Sequence, residues 1–187
     1  MSPPTSSAIA GYIAGAWDVD PAHSDVSFTV RAWMVHKVSG RFPGVSGEIV
    51  TAEEITASTV TMTVDAASVD TGNAQRDADL RSARFFDVEN HSTWRFRSIG
   101  VRVEDTGYAL DGELTIKGVT RPTTFALEIG GFGPDAFGAT RAGFSASTTI
   151  NRNDFGVDLD TRFDTDRVAV ADTVQVNLEM AAVLRQV

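Results

Sequence analysis

Apolar and polar residues alternate with a period of two along most of the chain. In residues 24–32, for example, Val26, Phe28 and Val30 share one face, and polar side chains occupy the other. This alternation is typical of antiparallel strands that bury one face and expose the other. It predicts six strands, at residues 24–32, 59–65, 108–117, 123–130, 143–151 and 173–185.

Two further strands are predicted at residues 44–51 and 93–103. The alternation in 93–103 changes parity at Val101 and Val103, which indicates a β-bulge. Residues 105–107 predict a short hairpin connection. Pro122 predicts a strand boundary, because proline cannot serve a central ladder. The glycine-rich residues 130–133 are interpreted as a turn.

Residues 74–82 are the one segment that predicts a helix, with Asn73 as its N-cap. A helix this short is expected to cover an end of the β structure rather than form a layer. Eight alternating strands predict either a sandwich or a closed antiparallel barrel. The inward positions carry no charged residue or histidine, and they include the small residues Gly112, Ala146 and Ala182. This inner face favours a barrel that encloses an internal void.

The large apolar residues of these inward faces, the pair Phe85-Phe86 and the small Ala146 are the candidate ligand-binding residues. They are Phe28, Val30, Met62, Val64, Phe85, Phe86, Phe96, Leu110, Leu114, Phe125, Leu127, Phe144, Ala146, Leu178 and Met180.

Composition and charge exclude several classes of protein. The 187 residues suit a single domain. The net charge of −9 repels phosphate backbones, so nucleic-acid binding is not expected. There is no cysteine, which excludes disulfides, a thiol nucleophile and Cys-ligated metals. No stretch reaches the ~18 apolar residues of a membrane span.

Residues 1–12 are expected to form a flexible arm and residues 13–187 the barrel domain. Residues 1–16 contain no Lys or Arg, so the positive region of a signal peptide is missing. A cytoplasmic location is therefore expected, and export is kept as the alternative. Residues 152–172 lack periodicity. We expect this connection to pack over a barrel end through Phe155, Leu159 and Phe163, with its Asp and Arg residues exposed to water.

No motif for metal binding or catalysis is found. His23, His36 and His91 have no metal-ligand spacing, and we expect His23 and His91 to hydrogen-bond turns. The Asp-rich residues 154–166 lack the Gly and Glu of a calcium loop. They alternate with arginines and are interpreted as a solvated surface. Nucleophile-elbow and phosphate-loop motifs are also absent. We therefore expect no catalytic residue, no metal and no cofactor.

Several stretches, in the same order, resemble the YceI-like family of polyisoprenoid-binding, lipocalin-like proteins. The resemblance runs from Trp17 to about Leu184. Its most specific part is LRSARFFDVE at residues 80–89. The other matching stretches are WDVDPAHS (17–24), FTVR (28–31), VSGRF (38–42), GELTIKGVTRP (112–122) and TINRNDFG (149–156).

The resemblance implies an eight-stranded antiparallel barrel with an internal tunnel that takes up long isoprenoid chains, such as isoprenoid quinones. It also implies an association with stress responses in some members. Many members are exported, whereas this chain has no evident signal peptide. Family members often have a histidine after the basic residue of the second strand, and this chain has Ala32 there.

The expected fold is thus all-β: an eight-stranded antiparallel, lipocalin-like barrel with one short helix covering an end. The expected function is binding, sequestration or transport of a long apolar chain, because an inner face without ionisable groups suits hydrocarbon. Two alternatives stay open. One is an enzyme that acts on such a lipid through His23, His91 and a carboxylate at the barrel mouth. The other is a ligand-free structural or stress protein. A homodimer is also left open.

Overall fold

The computed structural model describes residues 9–32, 35–157 and 170–186, and its strands form one antiparallel sheet. None of the helices in these ranges is long and apolar enough to cross a membrane. The elements are β1 Gly15–Val19, β2 Asp25–Ala32, β3 His36–Arg41, β4 Val45–Thr51, β5 Thr59–Asp65, α1 Ala74–Arg81, β6 Thr93–Val103, β7 Tyr108–Ile116, β8 Val119–Pro134, β9 Thr140–Asn151 and β10 Val170–Leu184.

The sheet closes into a barrel because β10 pairs with β1. The N-terminal part of β10, residues 170–179, pairs with β2 instead. β1 and β2 therefore lie end to end along the same side of β10. β4 pairs with β1 and β3 pairs with β2, so β3 and β4 also lie end to end. The end-to-end pairs β1/β2 and β3/β4 each count as one strand of the barrel, and β5 to β10 add six more. The barrel therefore has eight strands around its axis. The predicted eight-stranded antiparallel barrel is confirmed, and the sandwich alternative is wrong.

Most predicted strands are confirmed, and β1 and β3 were missed. β1 has five residues, and β3 has only one large apolar side chain, Val38, so neither carries enough alternation to predict a strand. The predicted bulge is confirmed, because the register with β7 shifts between Ser98 and Gly100. Ile99 lies in the bulge and is 75% exposed.

Two predictions about β8 are wrong. The strand runs through Pro122, which pairs with Glu113 of β7. Its register with β9 begins only at Ala126, so the missing N–H of Pro122 breaks no ladder on that side. The glycine-rich residues 130–133 also belong to the strand. A Cβ on Gly130 would lie 3.1 Å from the carbonyl oxygen of Gly143, so glycine lets the two backbones approach closely.

The predicted helix is confirmed as α1. The Asn73 side chain accepts a hydrogen bond from the Arg76 backbone N–H at 2.9 Å, as an N-cap does. Arg81, in the last turn, donates to the carbonyl oxygens of Ala67 (2.7 Å) and Val69 (3.0 Å). These bonds hold the helix across one end of the barrel, as expected.

The two ends of the barrel differ. We call one the helix end; it carries α1, the β7–β8 turn at residues 117–118 and a 3₁₀ helix at Arg152–Phe155. We call the other the hairpin end; it carries the turns at residues 104–107 and 135–139 and a 3₁₀ helix at Ile55–Ala57. Of the predicted N-terminal arm, residues 1–8 lie outside the described residues. Tyr12 packs against Phe132 at the hairpin end, with ring centroids 5.3 Å apart.

At the hairpin end, the Thr51 side chain links the end of β4 to the start of β1. Its Oγ1 accepts hydrogen bonds from the fully buried Trp17 indole N–H (2.9 Å) and from the Gly15 backbone N–H (3.0 Å). The same hydroxyl donates to the Ile13 carbonyl oxygen at 2.7 Å. One hydroxyl therefore joins β4 to β1 and satisfies the only polar atom of a buried indole side chain.

Asp20 joins the turn between β1 and β2 to β9. Its Oδ2 accepts from Arg141 Nη1 at 2.8 Å and lies 2.7 Å from His23 Nδ1. The Arg141 guanidinium, and secondarily His23, lower the pKa of Asp20 from 3.8 to about 2. Arg141 also donates to Asp135 Oδ2 at 2.7 Å.

We expect Thr51→Val to lower the free energy of unfolding by roughly 1–3 kcal/mol, because the buried Trp17 indole N–H loses its acceptor. Urea unfolding followed by circular dichroism measures this. Thr61→Val, the same change at an exposed position of β5, should shift the free energy by less than about 0.5 kcal/mol. Equal effects of the two substitutions would contradict the role assigned to Thr51.

We expect the stability advantage of the parent over Asp20→Asn to depend on pH. A carboxyl whose folded pKa lies below its unfolded value stabilises the fold above the unfolded value, and that contribution disappears as pH falls through the folded value. The advantage should thus be present at about pH 5 and decline between about pH 4 and pH 2. Urea unfolding of both proteins at several pH values measures it. A difference that stays constant down to pH 2 would show that Asp20 is not held as the structure indicates.

Candidate functional site

A cavity of about 660 Å³ lies inside the barrel. This volume falls within the range of roughly 300–1,000 Å³ that is usual for small-molecule sites. The wall consists mostly of apolar side chains that point inward from β2 to β10. The period-two alternation creates this wall, because every second residue of a strand points to the same side of the sheet.

All fifteen candidate ligand-binding residues lie on the cavity wall. Strand pairing brings them together: Phe96 lies opposite Leu114, and Ala146 lies between Leu127 and Leu178. Their role in binding a ligand stays a prediction. The residues so placed are Phe28, Val30, Met62, Val64, Phe85, Phe86, Phe96, Leu110, Leu114, Phe125, Leu127, Phe144, Ala146, Leu178 and Met180.

Aromatic rings form the wall near the helix end. The Trp94 ring lies 4.7 Å from the Phe42 ring and 4.8 Å, edge to face, from the Phe86 ring. Phe28 continues this cluster, 5.6 Å from Phe42. Among the described residues, the Trp94 indole N–H is a buried donor without a hydrogen-bond acceptor. Trp94 therefore lies in an almost wholly apolar part of the wall.

Several wall residues were not among the fifteen. Val26, Val60 and Val176 lie at inward positions of predicted strands, so parity alone identifies them. Phe42 follows β3, whose single large apolar side chain gave no alternation to read. Phe155 belongs to a 3₁₀ helix, where no period of two applies. For the last two residues the sequence offered no periodic signal.

The prediction that small inward residues create the void is correct at only one of three positions. Ala146 lines the cavity. At Gly112 the space is already filled, because a Cβ there would collide with the Phe96 ring. Ala182 is fully buried but does not border the cavity, since it packs in the core nearer the hairpin end. The same arrangement occurs at two other glycines. The Phe28 ring lies across Gly40, and the Met62 side chain lies across Gly47.

Exposed polar residues border the cavity at the helix end. His36, Asn73, Gln75, Asp79, Arg84 and Arg95 are exposed there, and Arg76 is half-buried. At the hairpin end, by contrast, the polar wall residues Thr51 and Ser58 are buried and hydrogen-bonded. The described part of the chain therefore places the mouth of the cavity at the helix end.

The expectation that the arginines of the 152–172 connection are exposed to water is wrong for Arg152, which closes the wall between the end of β9 and the start of β10 because backbone carbonyl oxygens there accept its hydrogen bonds. Its side chain is only 8% exposed and donates to the carbonyl oxygens of Val157 (2.9 Å), Val170 (3.1 Å) and Ala171 (3.0 Å). It also donates to Asp172 Oδ1 at 3.2 Å.

The neighbouring Phe155 is buried at the helix end, as expected for the connection over residues 152–172. Leu159 and Phe163, the other two predicted contacts of that connection, lie outside the described residues.

The histidines predicted as an alternative catalytic site are not brought together on the cavity wall. His23 contacts Asp20 in an exposed turn, and His91 lies beside Gly118, at the end of the β7–β8 turn. His36 does border the cavity, at its mouth. Within the described residues, no three His, Cys, Asp or Glu side chains are grouped as metal ligands. Most of the Asp-rich segment, residues 158–166, lies outside the described residues.

A family model for the YceI-like domain matches residues 17–182 of the chain. A relative of similar sequence is the UPF0312 protein of Serratia proteamaculans (strain 568). It is 36% identical over 144 residues, which cover 76% of this chain and 75% of the relative.

Solved structures share the fold. The crystal structure of Burkholderia cenocepacia BcnA superposes with a TM-score of 0.76 at 25% identity, covering 87% of this chain and 98% of that one. A polyisoprenoid binding domain from Saccharophagus degradans, implicated in plant cell wall breakdown, gives a TM-score of 0.68 at 17% identity. The match covers 92% of this chain and all of that one. At that identity the second likeness shows the fold alone.

We expect Ala146→Trp and Ala182→Trp to differ in stability, although both introduce the same side chain at an inward alanine. Ala146 borders the cavity, so the indole can enter open space and the melting temperature should stay close to that of the parent. Ala182 is fully packed, so the same change should overpack the core and cost roughly 1–3 kcal/mol or more. Thermal and urea unfolding measure both. Equal destabilisation would contradict an open interior beside Ala146.

Proposed function

The chain belongs to the YceI-like family, and from that premise we propose that it binds a long apolar chain of the polyisoprenoid or isoprenoid quinone type inside its barrel. The observation that carries the proposal is the cavity of about 660 Å³ with its predominantly apolar wall. Such a protein would sequester or carry its ligand away from water.

The wall supplies the driving force for this binding. Each carbon of an isoprenoid chain that leaves water for an apolar site contributes about 0.8 kcal/mol. Because hydrocarbon needs no directional partner, the apolar wall can hold a chain without a polar anchor. The aromatic rings of Phe42, Phe86 and Trp94 offer flat apolar surface to a chain near the mouth.

The polar chemistry of the cavity favours binding over catalysis. Between the two ends, the described wall carries no Asp, Glu, Lys, Arg or His. General acid–base catalysis requires such a group within hydrogen-bond reach of the reacting atoms. The Saccharophagus degradans domain of similar fold is a polyisoprenoid binding domain, which supports the same class of ligand for this chain.

A co-purification experiment and a titration test the proposal. Organic extracts of the purified protein, analysed by mass spectrometry, should contain an apolar chain in a stoichiometric amount. After delipidation, a ubiquinone with a short isoprenoid tail should quench tryptophan fluorescence saturably. In a Trp33→Phe background, used because Trp33 lies outside the described residues, Trp94→Phe should lose most of this signal, because Trp94 lines the cavity whereas Trp17 is buried away from it.

The Ala146→Trp variant serves as the matched test of where the ligand binds. It should stay folded yet bind the quinone at least tenfold more weakly, because the indole occupies the volume that the chain needs. A change on the outer face of the same strand, Ser145→Ala, at a half-buried residue that does not border the cavity, should leave the affinity unchanged. Lipid-free extracts together with no saturable quenching would overturn the proposal and favour a ligand-free structural role.

A further inference from the structure

The described mouth of the cavity carries more positive than negative charge, although the chain as a whole has a net charge of −9. Arg76 and Arg84 border the cavity beside α1, and Arg95 borders it from an outward position of β6. Asp79 is the one carboxylate among the described residues that border the cavity. The uncharged donors Asn73 and Gln75 lie on the same rim.

Arg76 is held in place before any ligand arrives. Its Nε donates to Thr71 Oγ1 at 2.8 Å, and its Nη2 donates to the Thr71 carbonyl oxygen at 2.9 Å. Thr71 is fixed in turn, because its hydroxyl donates to the buried carboxylate of Asp77. Nη1 of Arg76 has no hydrogen-bond partner among the described residues. A guanidinium with a fixed orientation and a free N–H loses little conformational entropy when it binds an anion.

Arg84 lies on the aromatic part of the rim. Its guanidinium carbon sits 5.7 Å from the centroid of the Phe85 ring, and both residues border the cavity. No carboxylate among the described residues forms an ion pair with Arg84. Its N–H groups are therefore available at the point where an apolar chain would leave the cavity.

We propose that the mouth recognises an anionic head group, a phosphate or carboxylate, through Arg76 and Arg84 while the apolar tail of the same ligand occupies the cavity. This inference rests on the proposed function and narrows its ligand class from neutral lipids to anionic amphiphiles. Guanidinium groups match phosphate and carboxylate oxygens with charge-assisted hydrogen bonds, which are roughly twice as strong as neutral ones.

Two probes with the same C20 tail separate the head group from the tail: geranylgeranyl monophosphate and geranylgeraniol. We expect the full-length delipidated protein to bind the phosphate about tenfold or more tightly than the alcohol at low ionic strength. Raising the salt from about 0.05 to 0.5 M should weaken phosphate binding and leave alcohol binding unchanged, since salt screens only the charged contact. Geranylgeranoic acid, the carboxylate counterpart, shows which anion is preferred.

Arginine variants locate the contact. Arg84→Gln and the double change Arg76→Gln/Arg84→Gln should remove most of the preference for the phosphate and keep the affinity for the alcohol. Arg84→Glu should reduce phosphate affinity further. The matched control is Arg97→Gln, which removes the same charge from an exposed residue of β6 that does not border the cavity. It should leave both affinities unchanged.

The outcomes are distinguishable. Equal affinity of the parent for phosphate, carboxylate and alcohol, insensitive to salt and to the Arg84 changes, would overturn this inference and leave the proposed function standing. An equal loss of phosphate affinity in Arg97→Gln would also overturn it, because the effect would then reflect overall charge. Failure of the parent to bind any C20 probe would overturn the proposed function and this inference together.

Discussion

The pairing of β10 with β1 is the contact on which the rest of the molecule depends. Without it the sheet would be open, with two unpaired edges and an inner face exposed to water. With it, every inward side chain from β2 to β10 faces the same enclosed space. β10 achieves this because its fifteen residues are long enough to pair with β9 on one side and with β1 and β2 in succession on the other.

The closed barrel gives its interior two different ends. At the hairpin end, Trp17, Thr51 and Tyr12 fill the opening, and the buried polar atoms of this group bond to one another or to the backbone. At the helix end, β3 does not pair with β5, and the chain that leaves β5 carries α1 across the gap. Within the described residues, an exposed polar rim therefore borders the apolar interior at the helix end, and the polar groups of the hairpin end bond within the protein.

Much of the barrel and its wall could be predicted from the sequence because both follow from a period of two. A residue such as Phe96 or Leu178 is assigned to the interior by its position in the alternation alone. The method fails where the backbone leaves that period. The rim residues Arg76 and Arg84 lie on a helix and in the chain that follows it, so alternation says nothing about their proximity to the cavity. The prediction at Pro122 was wrong because a missing N–H interrupts a strand only where a neighbouring strand would accept its hydrogen bond. Which neighbour lies beside Pro122 is decided by the assembled sheet.

Glycines on the inner face let large side chains lie close to the wall of the barrel. Phe28 lies across Gly40, Met62 across Gly47 and Phe96 across Gly112, so three large inward side chains lie close against the wall. The width of the barrel interior thus depends partly on these three glycines, which contribute no side chain to it. At Gly40, where an added methyl group would meet only side chains, it would push the Phe28 ring toward the barrel axis and narrow the cavity. At Gly47 and Gly112 it would also meet a backbone carbonyl oxygen at 2.6 Å, so the strand itself would have to shift. The width of the cavity therefore depends on glycines that do not line it.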